Sequence, residues 1–384
     1  MKADRPYPFV TIGARGAKRA QEGHPWVFDN EITAQEGALE DGALCDVRSP
    51  KGRYLGTGTY NSHSKIRVRM LSQNANDKFD EAFFRRRVQY AWDYRKAVMG
   101  PDLSCCRLIF GEADHFPGLT VDRFGDILVA QTLCLGTELR KDWIFPALAE
   151  AMEADGETVR GLYQRNDVKL RELEGMEQGK GWYPLPGKSL PESTVTQIVE
   201  NGIRYQVDFE NGQKTGFFLD QKYNRAAAAR IAPGRTVLDC FTHTGSFGLN
   251  CAKAGAKRVV SVDVSESALA CARENAALNG LEVEYQAANV FDLLPNLTPG
   301  EYDYIILDPP AFTKSGKTVK NAQRGYKEIN YRAMKALPRG GYLATCSCSH
   351  FMTDALFRRM LQSAAADAQV ELRLVEARAQ GPDH

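Results

Sequence analysis

Val237-Leu-Asp239-Cys-Phe-Thr-His-Thr-Gly245-Ser-Phe-Gly248 is the stretch that decides the fold of this 384-residue chain. An apolar run ends in a carboxylate, a short turn follows, and a glycine stands where a new helical segment begins, as in a strand feeding a helix through a tight loop. The pattern then repeats. Val259-Val-Ser-Val-Asp263, Glu282-Val-Glu-Tyr285, Tyr304-Ile-Ile-Leu-Asp308, Gly341-Tyr-Leu-Ala-Thr345 and Leu372-Arg-Leu-Val375 read as further strands. Helices are expected near 245–254, 265–279, 321–336 and 353–368. Such alternation predicts an α/β domain with a parallel, doubly wound, Rossmann-like sheet and ligands at the carboxyl ends of its strands.

Working back toward the N-terminus, Thr196-Gln-Ile-Val-Glu200 and Ile203-Arg-Tyr-Gln-Val207 flank Asn201-Gly202, a dipeptide suited to a type I′ hairpin turn. A domain boundary is placed just before it, after the Gly-, Pro- and Lys-rich linker 175–191. Residues 105–166 read as strand–strand–strand–helix–strand, with a leading amphipathic helix at 80–99 that Asp80 caps and Gly100-Pro101 ends. Residues 1–73 hold short strands between glycine-bearing turns, a small β-rich module. The expected domains are therefore 1–73, a central α+β domain at 74–192, and the α/β domain at 193–384.

Bulk composition narrows the function. The net charge is only +1, so nucleic-acid binding must come from local patterning. Lys51–Val98 supplies it, with eleven Lys and Arg against four Asp and Glu. Ile66-Arg-Val-Arg-Met70 turns Arg67 and Arg69 to one face, and with Trp26 they suit an RNA-binding surface; the alternative is a solvated strand over core aromatics. Nine scattered cysteines suit reduced thiols in the cytoplasm better than a disulfide framework. No zinc spacing, export signal or long apolar run is present, so neither a metal nor a membrane is expected.

The strand ends carry the chemistry. The G-x-G-x-x-G of dinucleotide sites is absent after Val237–Asp239. An acid and one glycine suit instead a nucleoside-type ligand without pyrophosphate, whose ammonium lies near Asp239. Phe241 and Gly245 belong to that turn. Asp263 ends the next strand, where a carboxylate accepts from ribose hydroxyls. Asp308-Pro309-Pro310 ends the fourth strand. Thr345-Cys346-Ser-Cys348-Ser ends the fifth, bringing an acid and two thiols to neighbouring strand ends. In a strand the two cysteines share a face, so spacing does not choose between them. The Lys314-Ser-Gly-Lys317 loop with Arg324 reads as a phosphate-backbone contact.

These strand ends resemble the class I S-adenosylmethionine-dependent methyltransferases, which implies adenine contacts at Asn289 and Val290. Gly23-His-Pro-Trp-Val-Phe28, Gly118-Leu-Thr-Val-Asp-Arg123, Lys214-Thr-Gly-Phe-Phe-Leu-Asp-Gln221, Asp308-Pro-Pro and Thr345-Cys-Ser-Cys-Ser together resemble the bacterial 23S ribosomal RNA cytosine-5 methyltransferase family over nearly the whole chain. The resemblance implies a PUA domain, a small central domain and a methyltransferase domain, with large-subunit ribosomal RNA as partner. It also implies that Lys214 and Gln221 lie at the cofactor, and that Asp308 and a cysteine do the chemistry. The Thr-Cys match favours Cys346. Ala311 stands where related enzymes carry a second cysteine, and the chain to His384 holds no segment for a seventh strand. An oligomer is compatible with the sequence. The alternatives are a methyltransferase acting on a guanine or an exocyclic amine, a non-catalytic RNA-binding assembly factor, and a nicotinamide oxidoreductase, which the missing glycines disfavour.

Overall fold

The computed structural model describes residues 5–312, 319–349 and 351–384. They divide into two compact units. One holds the chain up to Ile198 with Val207–Leu219 and Pro382–His384; the other holds Val199–Gln206 and Asp220–Gly381.

The first unit contains two sheets. One has six strands in the order Trp26–Phe28, Ile66–Ser72, Tyr54–Tyr60, Leu44–Arg48, Phe9–Ile12 and Ile32–Glu36. Its alternating apolar residues, Val10, Ile12, Val27, Val47 and Val68 among them, bury a core against Ala17 and Ala20 of the Ala14–Gln21 helix. The other has five strands, Gly179–Tyr183, Gly161–Asn166, Ile127–Thr132, Leu119–Phe124 and Cys105–Phe110. The expected helix spans Glu81–Met99, and the Phe83 N–H donates to Asp80 Oδ1 at 3.0 Å. Phe83, Phe84, Val88, Ala91 and Trp92 are all buried, so the apolar stripe is the packed face.

Three boundaries differ from the sequence reading. Residues 1–73 and 74–192 fall in one unit, and Val207–Leu219 joins it as well. Polar anchoring explains the latter. Thr215 Oγ1 donates to the buried Asp122 Oδ2 at 2.6 Å, and Arg165 donates to Phe209 O at 2.7 Å and Gly212 O at 2.9 Å. The supposed linker contains an edge strand, Gly179–Tyr183, paired antiparallel to Gly161–Asn166.

The second unit is built on a five-stranded parallel sheet ordered Glu284–Ala287, Arg258–Asp263, Thr236–Cys240, Tyr304–Leu307, Tyr342–Thr345. Leu238, Val260, Ile305 and Leu307 pack on one face with Ile329 and Ala333. Val237, Val259, Tyr304 and Ile306 pack on the other with Ala228 and Phe247. Burial on both faces is why these strands read as nearly continuous apolar runs. The first strand of the sheet lies beside both the second and the fourth, so the order reverses between Thr236–Cys240 and Tyr304–Leu307, and ligands bind at such a reversal. Ser246–Lys253, Glu266–Asn279, Val319–Ala336 and Asp354–Ala368 are the expected helices. The hairpin turn also forms, with φ of 53° at Asn201 and 71° at Gly202. Leu372–Val375 is not a strand, contrary to the sequence reading. It lies outside every sheet, with Leu374 66% and Val375 67% exposed, because apolar alternation makes a strand only where a neighbour offers a ladder. No helix among the described residues is long and apolar enough to cross a membrane.

Candidate active site

The turn after Thr236–Cys240 is the most constrained backbone in the second unit. Phe241 and His243 both have positive φ, 62° and 51°, and Gly245 follows at 84°. Non-glycine residues in that region cost energy, and bonds hold them there. The Thr242 N–H donates to Val262 O at 3.0 Å and the His243 N–H to Asp263 Oδ2 at 2.9 Å. Asp239 is fully buried beneath this turn. Its Oδ2 accepts from the Gly248 N–H at 2.8 Å and from the Thr242 hydroxyl. A Cβ at Gly248 would lie 2.3 Å from Ser261 Oγ and 3.1 Å from Asp239 Oδ2, so glycine is required by close approach.

Asp239 Oδ1 is buried and has no partner. Burial pushes the carboxyl up to about 6, against hydrogen bonds from Thr242, Gly248 and Ser261 that hold it down. A buried acceptor left open at a sheet reversal fits a cationic ligand group such as a sulfonium amino acid. Asp263 accepts from the His243 and Ser265 N–H groups, the latter at 3.0 Å. Each carboxylate oxygen keeps a lone pair for a ribose hydroxyl.

The third strand's contribution differs from the sequence reading. Asn289 caps the helical turn after it, accepting from the Phe291 N–H at 3.1 Å and donating to Asp292 Oδ2 at 2.9 Å. The Val290 side chain is buried in the sheet core. The Val290 side chain is therefore not free to read an adenine edge, whereas the exposed Asn289 amide keeps one N–H and a lone pair beyond its capping bonds. The exposed ring at that position is Phe291, 38% accessible.

Asp308 is the junction of the site. Gln221 Nε2 donates to Asp308 Oδ1 at 3.1 Å, and the same amide side chain works against the rise of the Cys346 thiol. Burial pushes the Asp308 carboxyl up to about 7; Arg225 pulls it down, while Asp220 and Asp239 add to the rise. Burial also pushes the Cys346 thiol well above its ordinary range, and the Asp308 charge raises it further. Cys346 packs on the sheet face that holds Ala228 and Tyr304. Cys348 is exposed, and its Sγ lies 3.7 Å from Pro309 O. The strand ends at Thr345, so the two-residue alternation stops between the thiols, and Cys348 comes out over the Asp308-Pro309-Pro310 turn. Phe312 is packed against Tyr326 at 4.6 Å between ring centroids and against Phe291 at 5.7 Å. It is half-buried, not a free stacking platform.

Lys214 belongs to the first unit, where its ammonium sits over the Phe218 ring. Arg69 and Trp26, expected at an RNA surface, are engaged by carboxylates of the first unit. Arg69 pairs with Glu174 at 2.9 Å and Glu112 at 3.2 Å, and Trp26 Nε1 donates to Glu112 at 2.7 Å. Arg67 shares that strand's face but donates to Asn61 O and Ser62 O. Two local carboxylates on other elements thus absorb the charge that the strand alone leaves open. Arg324 is exposed on the Val319–Ala336 helix, and Lys314 and Lys317 lie outside the described residues. Asn224 was missed by sequence reasoning. It donates to Gln221 Oε1 at 2.6 Å, and a neutral residue three places after Gln221 carries no motif of its own. Among the described residues no group of three or more His, Cys, Asp or Glu is placed to hold a metal.

Residues 10–73 match the PUA-like domain family and residues 185–383 the family of S-adenosylmethionine-dependent methyltransferases. A Shewanella denitrificans protein named "Ribosomal RNA large subunit methyltransferase I" is 42% identical over 368 residues, covering 94% of this chain and 90% of its own. Its namesake from Klebsiella pneumoniae is 37% identical over 387 residues, covering 99% and 94%. A solved SAM-dependent methyltransferase from Streptococcus mutans has the same fold, with a TM-score of 0.74 at 23% identity over 93% of this chain and 90% of that one. A methyltransferase solved in complex with SAH gives 0.75 at 23% identity, with the same coverage of both chains.

Proposed function

Since the chain belongs to the S-adenosylmethionine-dependent methyltransferase family that includes the ribosomal RNA large subunit methyltransferases I, we propose that it methylates C5 of a cytosine in large-subunit ribosomal RNA. The cofactor is S-adenosylmethionine, which supplies an electrophilic methyl group. The Asp239 region and Asp263 would hold its amino-acid and ribose ends, with the Phe241–Gly245 turn between them. The observation that carries the cytosine assignment is the pairing of a half-buried carboxyl with an exposed thiol on neighbouring strand ends, Asp308 and Cys348.

Cytosine C5 becomes nucleophilic only after something adds to C6. In this reading the Cys348 thiolate forms the S–C6 bond. The C5=C6 electrons shift through C4 to N3, and N3 takes a proton from Asp308. An acid near neutrality suits that transfer, and burial pushes Asp308 up to about 7. After methylation the C5 proton leaves to a base, the S–C6 bond breaks, and N3 returns its proton. Cys346 is the less suited nucleophile because its thiol is half-buried and held in the protonated form. This reverses the preference drawn from the Thr-Cys match. An exocyclic-amine target is disfavoured by Phe312, whose ring is committed to Tyr326 and Phe291.

Incubation with labelled cofactor and unmodified large-subunit RNA, followed by nucleoside analysis, tests the reading: label in 5-methylcytosine is expected, and label in any other base rejects it. Cys348→Ala should abolish turnover, and Cys346→Ala should retain most of it. The opposite outcome moves the nucleophile to Cys346.

A further inference from the structure

Asn224 and Gln221 stand behind Asp308, and their donors run in one direction, toward the carboxyl. The Gln221 amide turns its NH2 toward Asp308 Oδ1, at 3.1 Å, an oxygen that accepts whether or not Oδ2 carries a proton. That turns Gln221 Oε1 toward Asn224, which must in turn present its own NH2, at 2.6 Å. Asn224 Oδ1 is then left on the far side, buried and without a partner. Buried acceptors are nearly always satisfied, so this orphan is a cost to stability set against the bond that Asn224 donates to Gln221. Both residues come from one short segment, Leu219–Gln221 leading into the Lys222–Ala229 helix, whose turn sets their spacing.

We propose that Asn224 is a positioning residue: by fixing the direction of the Gln221 amide, it holds Asp308 with Oδ1 engaged and Oδ2 turned to the target base. The proposal rests on the cytosine reading for its catalytic consequence, but the relay itself does not need a substrate. Asp220, Asp239 and Arg225 also act on Asp308, and none of them is changed by altering Asn224. The Cys346 thiol receives the other influence of the Gln221 amide, so the relay also keeps that thiol tied to the carboxyl.

The discriminating variant is the neutral near-isostere Asn224→Leu. It roughly preserves volume but offers no donor to Gln221 Oε1, which frees the amide to flip and set Oε1 against Asp308. Gln221→Met removes the relay one step nearer, again without adding a charge, and serves as the second variant if Asn224→Leu does not fold. Expected for either is a fall in kcat of at least about tenfold, with KM for cofactor and RNA unchanged and a wild-type melting curve. In the protein without substrate, the Asp308 carboxyl stretch followed by isotope-edited infrared spectroscopy should titrate at higher pH than in wild type. Unchanged titration and unchanged kcat in both variants overturn the proposal. So does a rise in cofactor KM at normal kcat, which would make Asn224 a cofactor contact. If wild type labels a base other than cytosine, the cytosine reading fails while the infrared titration still decides the relay.

Discussion

Asp308 is a carboxyl whose position works against its charge. Burial and two neighbouring acids favour its protonated form, so below pH about 7 the folded chain binds a proton there, whereas an unfolded aspartate binds one only below about 4. Between those limits stability falls as pH rises, and above the upper one the ionised group is a standing penalty. Asp308→Asn should therefore raise the stability at pH 8 by on the order of 2 kcal/mol, after allowing for solvent screening of a part-exposed group. The gain should shrink to nothing near pH 4. Urea melts at both pH values check this, and an equal gain at both would place the pKa elsewhere. The same variant should lose activity, because an amide has no carboxyl proton to give. At this scale the sequence exposed which residues matter but not their depth. Two cysteines two places apart look equivalent in a strand, and only the strand's end at Thr345 separates a half-buried thiol from an exposed one.

Elements form where local chemistry and available partners agree. Asp80 illustrates the first. Its carboxylate caps Glu81–Met99, so Asp80→Ala should cost about 1 kcal/mol, read as a lower denaturant midpoint with unchanged slope, while Asp80→Ser should recover most of it. That cap, the Asn-Gly turn and the doubly buried strands of the parallel sheet were all legible, because each is written in contiguous residues. Trp26–Phe28, Ile32–Glu36 and Gly179–Tyr183 were not. The first two end the six-stranded sheet and the third ends the five-stranded one, where pairing with one neighbour, rather than propensity, decides the conformation. Leu372–Val375 failed in the opposite sense, having the alternation without the neighbour. The site follows the same rule. Asp239, Asp263 and Asp308 announce themselves at strand ends and Gly245 at a helix start, whereas Asn224 is recognisable only through the amide it touches.

Across the whole molecule, charge counts misled where ion pairs form between elements. The arginine excess at Lys51–Val98 is partly consumed internally, since Arg69 answers two glutamates of the same unit, and Glu174 is only 4% exposed. Arg69→Ala should therefore behave as a folding mutant. The loss is expected to be on the order of 3 kcal/mol, because the buried Glu174 carboxylate loses its cationic partner, and it is read by thermal melting. Arg324→Ala should leave the melt unchanged and reduce the salt slope of RNA binding by about one. A further property follows from the sheet of the second unit. Its two rims are unlike. Glu284–Ala287 carries a charged residue, Glu284, paired with Arg258, the kind of side chain that blunts an edge. Tyr342–Thr345 is the other rim; it has no charged residue, and no further strand pairs with it among the described residues. A line of outward amides and carbonyls without a charge to deter them is a template for adhesion. In concentrated solution this uncharged rim is one line along which copies of this protein could adhere, and its four-residue length limits the ladder that could form.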